Sequence, residues 1–268
     1  MRSVPQRLLC FIFLLSLSCK ESSLPLKRLP ENDINRVQAI LQELDPLIKQ
    51  KEQDKTMATL SFEEVYVRLD AKDREFLHQF QDLDPVKAGI KTQWHGIADG
   101  NVDLVQLDDQ TITKSGKAEK LSPQFVSRKA FESYSRMMRA MKKDLGKSLL
   151  VESGYRSSAY QLYLFILYLK NHDYSILETA KWNALPGYSE HGDPNHQALD
   201  FMNEEGINGE DHPDDFAVLP EYKWLTEHAP KFGFFLSYPK NSEEGIAYEP
   251  WHWHYEENQD VKKQEAEK

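Results

Sequence analysis

The chain of 268 residues is 40% hydrophobic and 11% aromatic, which excludes a chain disordered throughout and suffices for one or two domains with a proper core. Its formal net charge of -10 argues against nucleic acid as a partner, because phosphate binding needs a basic face that these totals do not suggest.

At the N-terminus, Arg2 and Arg7 flank the start of an apolar run from Leu8 to Leu17 that is too short to span a bilayer and leads through small residues to Cys19. Residues 1–18 therefore read as a secretory signal. Cys10 lies inside it, so Cys19 is the one cysteine of the exported chain and no intramolecular disulfide is expected. A cysteine at the cleavage point resembles the lipobox of bacterial lipoproteins. That resemblance implies an exported protein of the periplasm or cell envelope, anchored to the membrane through a lipidated Cys19. Ser22, Ser23, Pro25 and Pro30 mark residues 19–31 as a tether.

From Asn32 to about Ile48, apolar residues recur at helical spacing (Ile34, Val37, Ile40, Leu44), and Lys49 to Lys55 reads as a linker. Phe62 to Phe80 repeats the helical pattern. Ile90 to Ile112, with Gly96 and Gly100 between short apolar pieces, favours strands or hairpins. These elements make an accessory region over residues 32–118. His78 and His95 are far in sequence from other ligand types and read as surface or core residues.

Ser122 before Pro123 predicts a helix start, with Phe125, Val126, Phe131, Tyr134, Met138 and Met141 on its apolar face and Gly146 closing it. A strand over Ser148–Glu152, a turn opening a helix to about Lys170, and a strand over Leu199–Met202 follow. After a polar turn over Glu204–Asp215 come a helix over Pro220–Ala229 and strands over Phe234–Tyr238 and Tyr248–Tyr255. The fold class is α+β: a small, mostly antiparallel sheet with packed helices over residues 119–257, preceded by the helical and hairpin region. A charged tail over residues 258–268 ends the chain.

Two distant segments carry the chemistry. Residues 189–200 read SEHGDPNHQALD and residues 249–255 read EPWHWHY, holding His191, Asp200 and His252. Two imidazoles and one carboxylate suit a zinc ion that keeps a fourth position open for water. Glu249, three residues before His252, stands where a general base belongs. Arg156 offers a planar, permanently charged fork suited to a peptide ending in a free carboxylate. Serine-based chemistry fails on the sequence. The run from Gly187 through Ser189 to His191 lacks the final glycine of a nucleophile elbow, and the Ser-x-x-Lys at Ser237 carries Pro239 where a helical turn is needed.

SGYRS, then SEH with a downstream ALD, then EPWHWHY, in this order from near Leu121 to Tyr255, resembles the VanY-type zinc D-alanyl-D-alanine carboxypeptidases. The resemblance implies zinc held by His191, Asp200 and His252, Glu249 as catalytic base, and Arg156 facing the substrate carboxylate or the developing oxyanion. It implies a cleft lined by Ser189, Gln161 and Tyr155, and the terminal D-alanine of peptidoglycan stem peptides as the leaving group. The spacing departs from the family pattern: His191 and Asp200 are nine residues apart instead of seven, and His196 stands where the family has glycine. His196 is therefore a rival ligand, while His254 reads as a support behind the ligands and Trp251 and Trp253 as packing. Cleavage of an L,D-bond or an internal wall peptide, or peptidoglycan binding without hydrolysis, are the alternatives.

Overall fold

Apolar periodicity and strand pairing account for most elements of the structure, a computed structural model that describes residues 24–257 apart from 101, 194, 211 and 241–246. The expected signal, Cys19 and the charged tail lie outside the described residues. In chain order the elements begin with helices α1 (Glu31–Gln53), α2 (Phe62–Tyr66) and α3 (Ala71–Gln81), then strands β1 (Leu104–Leu107), β2 (Thr111–Lys114), β3 (Lys117–Lys120) and β4 (Gln124–Ser127). Helix α4 (Arg128–Leu145), strand β5 (Leu149–Ser153), and helices α5 (Ser158–Tyr168) and α6 (Ile176–Thr179) follow. Strand β6 (Ala198–Asn203), helices α7 (Pro213–Ala217) and α8 (Pro220–His228), and strands β7 (Phe234–Leu236) and β8 (His252–Tyr255) complete the fold.

Three sequence expectations are corrected. Helix α1 continues to Gln53 through the expected linker and past Pro46. The stretch Phe62–Phe80 is two helices, because Asp70 caps a new start by accepting from the backbone N–H of Lys72 and Asp73. Pro123 does not open a helix: Gln124–Ser127 form β4, paired antiparallel with β1, and α4 begins at Arg128. Here the partner strand outweighs the helical spacing of Phe125 and Val126, since pairing satisfies backbone groups that a longer helix would satisfy elsewhere.

The main sheet has the order β5-β6-β8-β7, antiparallel throughout. Its apolar face packs on α4 and α8 in a core that includes Met137, Met141, Phe201, Trp224, Phe234 and Trp253. A second core joins α1, α2 and α3 to α5, with Val37, Ile40, Phe76 and Phe80 from the N-terminal helices meeting Leu162, Phe165 and Ile166. Each such side chain, fully buried, is worth about 1.5–3 kcal/mol over leaving it exposed. The boundary near residue 118 is thus crossed by a shared core. Part of the expected tether joins it too: Leu24 and Leu29 are buried, and the Leu29 N–H donates to the Tyr174 carbonyl at 3.0 Å.

The two serines that follow Arg156 bind this N-terminal region directly. Ser157 donates its hydroxyl to the Leu60 carbonyl at 2.6 Å and its N–H to the Ala58 carbonyl at 2.9 Å. Ser158 and Ala98 exchange two bonds, each of 2.8 Å. The extended segment leading to Ala98 then runs as a strap along the loop before His191. The Gly187 carbonyl accepts from the N–H groups of His95 (2.8 Å) and Gly96 (3.2 Å), and Trp94 meets Tyr188 edge-on with centroids 5.0 Å apart. Gly187 adopts φ +84°, and a Cβ there would sit 2.3 Å from the Trp94 ring, so only glycine allows this contact without a shift.

Candidate active site

Strand pairing places two of the three expected ligands. Asp200 of β6 and His252 of β8 are directly opposed across an antiparallel pair, the arrangement that brings Cβ atoms to about 4.5–5.5 Å. Asp200 is also opposite Ser153 at the bulged end of β5. The third ligand comes from a turn: Glu190–Gly192 form one turn of 3-10 helix, and the His191 carbonyl accepts from the Arg156 N–H at 3.2 Å. The ring of His191 is fixed by Nδ1, which donates to the Gly154 carbonyl at 2.8 Å. Gly154 is required there, because a Cβ would lie 2.2 Å from the Phe125 carbonyl oxygen. The glycine of SGYRS therefore orients the candidate ligand His191 by letting β4 approach.

The candidate ligand atoms of His191, Asp200 and His252 all lie within 4.8 Å of one another, and all three residues are buried. His191 Nε2 is 3.2 Å from Asp200 Oδ2, and His252 Nδ1 is 2.8 Å from Asp200 Oδ1. His191 Nε2 has no hydrogen-bond partner among the described residues. Burial, and next the nearby Arg156, push His191 down to about 4, so its imidazole is neutral. With the proton on Nδ1, Nε2 turns a lone pair toward a carboxylate. Two buried acceptors facing one another call for a cation between them, and the nitrogen and oxygen donors suit zinc. These residues fit the metal. His196 does not enter the group: its side chain is 50% exposed and pairs with Asp193 at 3.4 Å. Of the two rival histidines, His191 is the one that the fold brings to Asp200.

Opposing influences act on the charged groups. Burial raises Asp200, but the imidazoles of His191 and His252 outweigh it and hold the carboxylate well below its ordinary range. Burial lowers His252, yet Asp200 and then Glu190 outweigh it, so without a metal this ring is held protonated. Glu249, with a side chain 14% exposed, has Oε2 3.7 Å from His252 Nδ1. Burial pushes it up to about 7, with His252 pulling the other way and the Asp200 carboxylate adding to the rise. A carboxyl poised there can hold or release a proton near neutrality.

The sequence reading missed Glu190. Its Oε2 accepts from His252 Nε2 at 2.9 Å, which leaves Nδ1 of that ring for the ligand position. Burial raises Glu190, and the bond to His252 more than compensates, taking it down to about 2. A carboxylate behind a ligating imidazole sets the tautomer and the ring angle. The available signal was a glutamate beside a candidate ligand; it serves the histidine 62 positions away. Glu190→Gln should weaken zinc affinity about 10- to 100-fold, measured by competition with a chelating dye. His254 stands behind the site, its Nδ1 bonded to Ser237 Oγ at 2.7 Å.

Arg156, Gln161, Ser189, His191, Asp200, Glu249 and His252 line one cavity of about 610 Å³, within the usual size for a small-ligand site. Arg156 Nε and Gln161 Oε1 are buried without hydrogen-bond partners among the described residues, while Gln161 Nε2 donates to the Ala184 carbonyl at 2.8 Å. Tyr155 is placed elsewhere. It packs with Ala58 and Ala98, its hydroxyl accepts from the Gly100 N–H at 3.1 Å, and it is not part of the cavity wall. In the irregular segment between β5 and α5, Arg156 lines the cleft while Tyr155 packs toward the accessory region, so the expectation that Tyr155 lines the cleft is corrected.

The family described as VanY, D-alanyl-D-alanine carboxypeptidase, matches residues 123–258. YodJ of Bacillus subtilis (strain 168), named as a carboxypeptidase, is 29% identical over 191 residues, covering 69% of this chain and 65% of its own. A D-alanyl-D-alanine carboxypeptidase of Enterococcus faecium is 30% identical over 158 residues, covering 57% of this chain and 45% of its own. The chain thus spans less than two thirds of either curated relative. Among solved structures, the LdcB LD-carboxypeptidase is similar at 29% identity, covering 62% of this chain and 73% of that one, with a TM-score of 0.46. The matched residues amount to about half of the chain and enclose every side chain that converges on the buried point, and on that ground the chain belongs to the VanY D-alanyl-D-alanine carboxypeptidase family.

Proposed function

We propose that this protein is a zinc-dependent carboxypeptidase that removes the terminal D-alanine, or another terminal D-amino acid, from peptidoglycan stem peptides. The observation that carries the proposal is the convergence of three buried candidate ligand groups, a glutamate raised to about 7 and an arginine whose Nε has no partner among the described residues, all on one cavity.

His191, Asp200 and His252 would hold the ion. Bound zinc supplies Lewis acidity, lowering the pKa of a bound water from 15.7 to about 7 and polarising the scissile carbonyl. Glu249 takes the proton on its carboxylate and delivers it to the departing amine, a role its buried place beside the ligands supports. Arg156 pairs with the terminal carboxylate, which makes the site select a chain end over an internal bond. Gln161 Oε1, oriented by the bond from Nε2 to Ala184, accepts from a substrate amide N–H. The reading also places the protein outside the cytoplasmic membrane, exported by residues 1–18 and anchored through Cys19.

Arg156→Ala should raise KM about 10- to 100-fold with a smaller change in kcat, the size expected for losing a hydrogen bond to a charged group. A substrate whose terminal carboxylate is amidated should suffer the same loss in the wild type and no further loss in the variant. The proposal as a whole is tested by zinc content and by mass spectrometry of the products from a pentapeptide stem. Release of free D-alanine by the zinc-loaded protein supports it. A protein without zinc, or one releasing only internal fragments, overturns it.

A further inference from the structure

Besides the candidate ligands, Glu249 and Arg156, the residues lining the cavity include a group of aromatic rings. Trp182 and His172 both line it. Their rings are nearly parallel, at 7° with centroids 6.4 Å apart. The turn carrying Trp182 is tied down, since the N–H groups of Trp182 and Asn183 both donate to the Thr179 carbonyl, at 3.0 and 2.9 Å. Yet Trp182 is 54% exposed, and Tyr168, which also lines the cavity, is 37% exposed. Leaving large aromatic surface in water forgoes hydrophobic stabilisation, and aromatic surface exposed in the lining of a cavity is available for a ligand to cover. Polar residues line the same cavity: Asn171 beside His172, and Thr92 from the strap that the N-terminal region lays along the cavity.

Resting on the function proposed above, we propose that this aromatic lining is a subsite for the amino-sugar ring at the amino end of the stem peptide, with Trp182 as its stacking platform. The orientation follows from chemistry. Arg156 takes the carboxyl end, so the amino end must leave the reacting centre along the cavity. Four extended residues reach about 13 Å, and the group joined to the first of them is an amino sugar. A pyranose presents a flat C–H face that packs on an indole and a rim of hydroxyl and amide groups that hydrogen-bond to Asn171 and Thr92. Thr92 lies outside the family-matched residues 123–258, so the accessory region takes part in choosing the substrate.

The test uses the full chain, zinc-loaded, with Glu249→Gln to prevent turnover. Dissociation constants are measured by calorimetry for a disaccharide pentapeptide and for the same pentapeptide without sugars. The disaccharide form should bind about tenfold tighter; adding Trp182→Ala should bring the ratio close to one, and Trp182→Phe should retain most of it. Equal affinities before Trp182 is changed, no measurable binding of either ligand, or a ratio that survives Trp182→Ala each overturn the inference. If the wild type discriminates in favour of sugar yet releases no D-alanine, the peptidase reading falls and the subsite stands. Release of D-alanine without discrimination has the opposite meaning.

Discussion

Glu249→Gln should lower kcat about 10²- to 10⁴-fold while zinc stays bound at one equivalent. Glutamine keeps the size and both polar atoms of the side chain but cannot take a proton, so the variant separates proton transfer from substrate positioning. The side chain is 14% exposed beside His252, and its carboxyl is pushed up to about 7, mainly by burial. The native charge is therefore held at a cost, and a neutral amide should leave the melting temperature unchanged or higher. Release of D-alanine, zinc content and thermal unfolding check the three statements. A variant within tenfold of wild-type kcat would remove Glu249 as the base.

As the base of the proposed reaction, the same carboxyl would work ionised, so kcat/KM should rise with pH through its titration, the acid limb of the profile. In the metal-free protein that midpoint is about 7, and a nearby cation favours the ionised form. The limb of the zinc enzyme therefore belongs between the ordinary 4.5 and about 7. A profile flat across that interval would contradict the assignment.

Asp200→Ala should have the larger combined effect, abolishing zinc binding and D-alanine release and destabilising the chelated protein by about 3–5 kcal/mol, the usual result of removing one partner from a buried charge pair. In the metal-free wild type, Asp200 is held below its ordinary 3.8 and His252 above its ordinary 6.5. The depressed carboxylate contributes stability that is present above 3.8 and lost only as the pH falls toward its folded value. The raised imidazole contributes stability that is present below 6.5 and lost as the pH rises toward its folded value. The window where both act fully lies between these limits. Urea unfolding of the chelated wild type should show stability declining above 6.5, and Asp200→Ala should flatten that slope. With zinc bound the metal replaces the His252 proton, so the loaded protein should lose the alkaline decline as well.

What a sequence can announce depends on whether its partners are near or chemically distinctive. His191, Asp200 and His252 could be named because a zinc site needs just such side chains, in an order carried by short segments, and the fold brings them together. Glu249 shares the segment of His252, so its place beside that ring was readable from a three-residue spacing. Helices α5 and α8 and the strands carrying Asp200 and His252 were legible from apolar periodicity. Glu190 was not, because its partner lies 62 residues away and a lone glutamate carries no mark of the hydrogen bond it will make. The two-residue lengthening of the loop left His196 open as a rival, and the fold resolves it by burying His191 beside Asp200 while His196 stays half exposed and pairs with Asp193.

The sequence by itself determined the three candidate ligands, Glu249 and Arg156, their order along the chain and most of the helices, because side-chain chemistry and local periodicity are properties of the letters. The tertiary structure alone decided that β4 is a strand, that Tyr155 faces away from the cleft, that Glu190 stands behind His252, and that the strap before Ala98 builds a wall of the cavity. Each of these depends on what a backbone group or side chain meets from a distant segment. Such meetings are settled by the packing of two joined cores, and no local pattern of residues encodes them.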